Sequence, residues 1–513
     1  MDLKAFDTAL SRKPFGDSIY MHEQMHLTFK RRLGKLSTSV PAAHHLLAAL
    51  QQATPQAEYR TLGDPLLRRA VQQLLTQEIV GSQQNALSSQ VSAQVIEAVA
   101  QHVETNAAHG PLQADAADAQ WLDDPSRTPW IWSPSQNRGF LGEAFSRLIE
   151  QQFGAGLTQP SDNDLALLRQ GFRILDELLP LTARAALSHT QLIGITSGTD
   201  AWMGKSSTSQ FTVVGIFFLN RKLIQNPWWV AEHLLHEALH QKLYDFRHAH
   251  SMLVRDLNDS PNVPAEGRRV VSLWNAPGLD GSNRWNSHRA MAALHVYVHL
   301  ALLCSLAEQH APRLRGTYGP LDAPSPMTPS RKAFERAHYL AESLRAECWD
   351  ELGLAGRRMV DWLQAILDAM DETPPPDGSF LHLILDRYIK EARRLRNAPV
   401  SNDLATTLAA LGRSEAETFR KVMSVVGAKD NLDRSATEPV PPLAQDHHAD
   451  DHTTFAQQRH HIADTLLRLA PNGYSLDSLC QLPGASADEM VRCMVETSSQ
   501  ELATTSAATP NRT

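Results

Sequence analysis

Apolar residues recur every three or four positions along most of the chain, and this helical rhythm gives way once to something else. Residues 1–140 read as helices separated by polar loops, ending in a long surface connection rich in Trp and Pro, ADAADAQWLDDPSRTPWIWSPSQNRG (114–139). The rhythm returns in FLGEAFSRLIEQQF (140–153) and DLALLRQGFRILDELLPLTARAAL (164–187), where Leu and Ile keep helical spacing. From 191 it changes. QLIGITS (191–197) and FTVVGIFFLN (211–220) are β-branched and aromatic runs bounded by Gly, Ser, Thr and Asn, and they predict two strands of a small sheet. Asn226 and Pro227 then open a helix over about 227–248, with Asn226 as N-cap and Pro227 at the first helical position. A loop rich in Asn, Asp, Pro and Gly (256–286) leads to a helix over 287–310. Beyond a linker at 316–329, a helix or helix pair covers 331–371, and PPPDGS (374–379) separates it from FLHLILDRYIKEARRLRN (380–397). The expected fold class is mainly α with a small β-sheet (α+β). The expected regions are 1–140 (helical), 141–315 (core), 316–430 (helical), 431–461 (a flexible tether containing QDHHADDH) and 462–513 (a small helical module).

Composition narrows the function classes. The 513 residues suffice for two to four domains, and the formal net charge of -8 gives no general attraction to nucleic acid or anionic lipid. The N-terminus lacks the apolar core of a secretory signal. The longest apolar runs, 211–220 and 295–307, fall short of the ~20 residues needed to span a bilayer or carry histidines. Cys304, Cys348, Cys480 and Cys493 form no CxxC pair, so a cytoplasmic, thiol-reduced protein with no membrane and no nucleic-acid partner is expected. The 23 histidines are in excess and clustered, which directs attention to metal chemistry.

HExxH sets two histidines one helical turn apart on the same face, so both imidazoles reach one divalent ion with the Glu beside it. The pattern occurs twice, as His22-Glu23-Gln24-Met25-His26 and as His236-Glu237-Ala238-Leu239-His240. The second copy has the better context. It follows an apolar strand on a capped helix, the order of zincin-like cores, and Val230, Leu234, Leu235, Leu239 and Leu243 can bury that helix. The first copy has no strand before it and runs into KRRLGK (30–35), so it is expected on a solvated helix face. The third His of a metzincin is excluded, because Leu243 and Phe246 stand at the required Gly and His positions. The helix at 287–310 has no Glu before Glu308 but places His288, His295 and His299 on one face. His295, central in that helix, is the expected third ligand. Core histidines bonded to backbone carbonyls are the alternative. Spacing permits iron and zinc alike.

The order of SGTDAWMGKSSTSQFTVVGIFFLN (197–220), AEHLLHEALHQKLYDF (231–246), SLWNAPGLDGSNRW (272–285) and HRAMAALHVYVHLALL (288–303) resembles the HExxH-type α-ketoglutarate-dependent peptide β-hydroxylases, also known as HExxH-containing putative peptide-modification proteins. The resemblance covers about 190–310, with HEALHQKL and ALHVYVHLALL its most specific parts. It implies a non-haem Fe(II) dioxygenase using α-ketoglutarate (2-oxoglutarate) and O2 to hydroxylate a ribosomally made peptide or an amino-acid-like substrate, in natural-product (RiPP) biosynthesis. It further implies that His236, His240 and His295 are iron ligands, and that an Arg before the third His, Arg289 or else Arg284, binds the distal carboxylate of the keto acid. A planar two-pronged guanidinium suits that carboxylate. Glu237 is the expected catalytic carboxylate.

Two rival functions remain. One is a zinc metallopeptidase with Glu237 as general base. The other is a non-catalytic binding or regulatory protein stabilised by metal. Trp228, Trp229, Trp274 and Trp285 are expected as core or loop anchors more than pocket walls, and Tyr244 sits one turn beyond His240. His248 and His250 close the metal helix, where positive charge suits the helix dipole.

Overall fold

The computed structural model describes residues 3–80, 87–114, 118–126, 128–254, 269–277 and 283–375, together with 267, 382–384, 386, 387, 390, 391 and 488. The expected tether at 431–461 and, but for residue 488, the expected module at 462–513 lie outside the described residues. The chain is mostly helical with a small mixed sheet, in agreement with the α+β expectation. Six helices come first: α1 (Lys4–Leu10), α2 (Ser18–Leu36), α3 (Pro41–Gln52), α4 (Pro55–Gly63), α5 (Pro65–Val80) and α6 (Ser89–Glu104). Then follow β1 (Gln120–Trp121), β2 (Trp130–Ile131), α7 (Phe140–Phe153), α8 (Asp162–Leu178), α9 (Pro180–Leu187), β3 (Leu192–Thr196), β4 (Ser207–Gln210), β5 (Val213–Asn220) and α10 (Pro227–Ala249). The remaining elements are β6 (Val270–Val271), β7 (Arg284–Trp285), α11 (Ser287–Tyr318), α12 (Ser330–Glu347) and α13 (Leu354–Met370).

Local chemistry explains the helix starts. The Asp17 carboxylate accepts from the backbone N–H of Ile19 and Tyr20 to cap α2, and Ser161 and Asp164 form a reciprocal capping box on α8. Pro opens α3, α4, α9 and α10, where its missing N–H costs nothing.

Two compact units result. The first comprises Met1–Asp259, Met291–Phe334 and Asp350–Asp371. Its five-stranded sheet has the order β1-β2-β3-β5-β4. The two predicted strands are β3 and β5, paired in parallel with Ile195 opposite Leu219. β2 runs parallel to β3, while the edge strands β1 and β4 are antiparallel to their neighbours. Residues 114–139 are therefore not simply a surface connection. Trp130, Ile131 and Trp132 are buried, and the Trp130 N–H donates to the Gln191 carbonyl. Strands of two residues are too short to show a period, and their parallel partners are distant in sequence.

One apolar core extends from Met25 on α2 to Phe218 on β5, so residues on both sides of 140 pack together. Its aromatic centre includes Trp132 edge-on to Phe145 and Phe153 edge-on to Phe218, with ring centroids 4.6 and 4.9 Å apart. α10 packs against α2, α8, α9, β4 and β5. The α8 contact requires Gly171, since a Cβ there would lie 2.5 Å from Val230 Cγ1 and 2.9 Å from the Ala231 nitrogen. Ala normally gains up to ~1 kcal/mol over Gly inside a helix. Overpacking a core costs about 1–3 kcal/mol. Gly171→Ala is accordingly expected to lower stability in urea unfolding, and an unchanged or raised midpoint would contradict this packing.

The second unit comprises Ser260–Ala290, Glu335–Trp349 and Glu372–Thr513. β6 and β7 pair antiparallel, with Val270 opposite Trp285. Trp274 meets Trp285 and Tyr339 edge-on, and the Tyr339 hydroxyl donates to the Val271 carbonyl at 2.6 Å. Trp274 and Trp285 are both buried anchors. α11 runs past Pro312 to Tyr318, further than the pattern predicted. By length and composition it could cross a bilayer, contrary to the expectation that no segment would, but 83% of its most apolar window is buried inside the protein.

Candidate metal centre

α10 is a core helix rather than a surface helix. Apart from His233, His236 and His240, every residue from Pro227 to Phe246 is buried. The Asn226 side chain accepts from the Trp228 N–H at 3.0 Å, fixing the start of the helix as predicted. The Trp228 indole donates to the Gly319 carbonyl at 3.0 Å, and Trp229 stacks on His233 with centroids 3.8 Å apart. Both tryptophans are anchors. In the next turns, Gln241 clamps the helix to β5, accepting from the Gly215 N–H (2.7 Å) and donating to the Ile216 carbonyl (2.8 Å). Gly215 has φ 99°, and a Cβ there would stand 2.6 Å from the Gly63 carbonyl oxygen, so the clamp depends on glycine.

This anchoring aims His236 and His240 at one point. Their Nε2 atoms are 3.2 Å apart, with the rings inclined at 68°. Two nitrogens each ~2.0–2.1 Å from one ion at a tetrahedral angle would lie about 3.4 Å apart. The pair thus has nearly the spacing of cis ligands, and the His236 side chain, 30% exposed, leaves an approach from solvent. Glu237 is buried beside them. Its Oε1 accepts from the Ser207 hydroxyl on β4 at 2.5 Å and lies 4.0 Å from His236 Nε2. Its Oε2 is buried with no hydrogen-bond partner. Tyr244 stacks beyond His240 at 6.3 Å and meets Phe211 edge-on, so it packs.

His295 and His299 differ in a way that spacing could not reveal. His299 Nδ1 donates to the His295 carbonyl at 2.7 Å, the ordinary fate of a core histidine. His295 is wholly buried, and both of its ring nitrogens lack a partner. Burial first, then the neighbouring His299, Lys242, His240 and His189, hold the His295 imidazole well below its usual range, so its lone pair is available. The donor atoms of His236, His240 and His295 nevertheless do not all fall within 4.8 Å of one another. Among the described residues, the group of three that does is His22, His189 and Asp245.

That group corrects the reading of the first HExxH copy. α2 packs against α10, and His22 is half-buried with its ring 4.3 Å from that of His189. His26 faces Glu58 at 3.4 Å. Neither is on a freely solvated face. A second correction concerns the end of α10. Burial, then nearby Arg32 and Arg68, push the His248 imidazole down to about 3, and His248 Nδ1 lies 3.1 Å from the Arg32 guanidinium, which donates to it. His248 is therefore neutral and supplies no charge to the helix dipole. Burial lowers His250 as well.

The candidate keto-acid ligands lie in the second unit. Arg284 and Arg289 are both exposed, the Arg289 guanidinium 5.0 Å over Trp285. The Asn286 side chain accepts from the Arg289 N–H at the start of α11. His288 is buried.

Sequence reasoning missed Ser207, Arg68, His189, Lys242 and Asp245. Lys242 is buried, its amine donates to the Gly16 carbonyl at 2.6 Å, and burial depresses it to about 7. The HEQMH copy was the one available signal for the group around His189. No family model matches the chain, and no curated protein does.

Proposed function

We propose that the chain is a non-haem Fe(II) dioxygenase that uses α-ketoglutarate and O2 to hydroxylate a peptide or amino-acid-like substrate at a zincin-like HEALH centre. The observation that carries a metal at this position is the convergence of His236 and His240 Nε2 at 3.2 Å beside buried Glu237. The choice of iron and a keto acid rests on the resemblance over 190–310. Bound iron with α-ketoglutarate and O2 would supply the oxidising chemistry.

The protein's own groups have separable parts. His236 and His240 hold the metal from one face of α10. His295, buried with both ring nitrogens unpartnered, is the candidate third donor. Ser207 holds Glu237 Oε1, which orients the carboxylate and leaves Oε2 to take or hold a proton.

Zinc hydrolysis is the second reading. The uncommitted Oε2 of Glu237 favours it, because a general base needs such an atom. Anaerobic addition of Fe(II) and α-ketoglutarate to the apoprotein is expected to produce the weak visible charge-transfer band of a chelated keto acid. Air should then yield succinate and, on a peptide substrate, a mass gain of one oxygen. Iron binding without the band would overturn the oxygenase reading. Zinc-dependent peptide cleavage lost in Glu237→Gln would establish the second. Metal retained with no turnover would point to a binding protein.

A further inference from the structure

A second cluster lies outside the HEALH pair. His189, between α9 and β3, connects two helices: its Nδ1 is 2.6 Å from Asp245 Oδ2 on α10, and its Nε2 is 3.0 Å from the Ser18 hydroxyl at the start of α2. The other Asp245 oxygen accepts from Arg68 on α5 at 2.8 Å. His22, one turn after Ser18, lies tilted against the His189 ring at 4.3 Å and keeps a buried Nε2 with no partner.

The proton count at His189 is the informative feature. The Ser18 hydroxyl donates its single hydrogen to the Ala185 carbonyl at 2.6 Å. It can therefore only accept from His189, so the imidazole hydrogen resides on Nε2. Nδ1 then faces an Asp245 carboxylate that Arg68 already holds in the charged form. A bare lone pair against a carboxylate oxygen is repulsive. At 2.6 Å the contact has the length of a charge-assisted hydrogen bond, so a proton on Nδ1 fills it until a cation displaces that proton and the two atoms part slightly to ligand spacing. Full burial opposes that second proton, the Asp245 carboxylate favours it, and nearby Lys242 and Arg68 oppose it again, with the balance lowering the imidazole below its usual range.

We infer that His22, His189 and Asp245 form a second divalent-cation site, distinct from the HEALH centre. One donor atom from each lies within 4.8 Å of the other two, and the set of two imidazoles and one carboxylate suits a first-row transition ion such as Zn(II), Fe(II) or Co(II). On binding, the ion takes the lone pair of His189 Nδ1, an oxygen of Asp245 and the unpartnered nitrogen of His22. It replaces any second proton on His189, which leaves to solvent, so the local charge rises by one. The Nε2–H to Ser18 remains as the outer hydrogen bond that fixes the ring. The first HExxH copy thus contributes only its first histidine, because His26 turns to Glu58. This inference does not depend on the proposed oxygenase activity.

Co(II) titration of the chelator-stripped full chain tests it. Wild type is expected to bind two ions. His236→Ala/His240→Ala should still bind one, with visible ligand-field absorption and a raised thermal midpoint. Adding His22→Gln to that variant should weaken the remaining site by at least about tenfold, the lower end of what losing even an outer-shell partner costs. The inference is overturned if the double variant shows neither absorption nor a thermal shift with Co(II). It is equally overturned if both survive His22→Gln unchanged. Failure of the HEALH reading looks different: wild type would bind one ion and keep it in the double variant.

Discussion

His236→Ala or His240→Ala is expected to remove the HEALH metal and with it essentially all turnover, while the apoprotein keeps its fold. The two Nε2 atoms share one point at 3.2 Å, so either loss leaves a single histidine on α10 to hold the ion. Outer-shell losses at metal sites cost about 10–100-fold in affinity or activity, and loss of a direct ligand should exceed the upper figure. Stability should change by no more than about 1 kcal/mol, since both side chains are only partly buried and α10 is held by Asn226, Gln241 and its apolar faces. Metal analysis after gel filtration, with unfolding of the chelator-treated protein as control, measures both effects. Retention of stoichiometric, tightly held metal at this site by either variant would refute the assignment.

The largest expected loss of stability belongs to Asp245→Ala. Asp245 is fully buried and pairs with Arg68 and with His189, at 2.8 and 2.6 Å. Burial alone would raise its carboxyl, but Arg68 and His189 outweigh it and hold the group well below the usual carboxylate range. Removing it strands a buried guanidinium, which costs about 3–5 kcal/mol. Replacing both partners by apolar residues, Arg68→Met with Asp245→Leu, should cost much less than the single change. Because the folded value lies below the unfolded one, this stabilisation is complete above the unfolded carboxylate value of about 4 and is lost as pH falls through the folded value. The penalty of Asp245→Ala should therefore shrink in acid. Urea unfolding at neutral and acid pH, with chelator present, measures this. A single-variant loss below about 1 kcal/mol at neutral pH would contradict the buried pair.

What could be read in advance was what short stretches of chain control. Asn226 and Pro227 start α10 by capping chemistry confined to a few residues. The 3.6-residue period puts His236 and His240 on one face, and the runs LIGIT and VVGIFFLN declare β3 and β5 through their own side chains. Tertiary packing decided the rest. It paired β2 with β3 across some sixty residues of chain, set the His22 ring against His189 and silenced His248 by laying α2 on α10, and tied His299 to a carbonyl while leaving His295 unpartnered. It also recruited Ser207 to Glu237 and assembled His189, Arg68 and Asp245 from separate elements. The physical reason is range. Capping and periodicity act over a turn or two, whereas burial, protonation and the partner of a lone pair depend on which distant segments come to rest against one another.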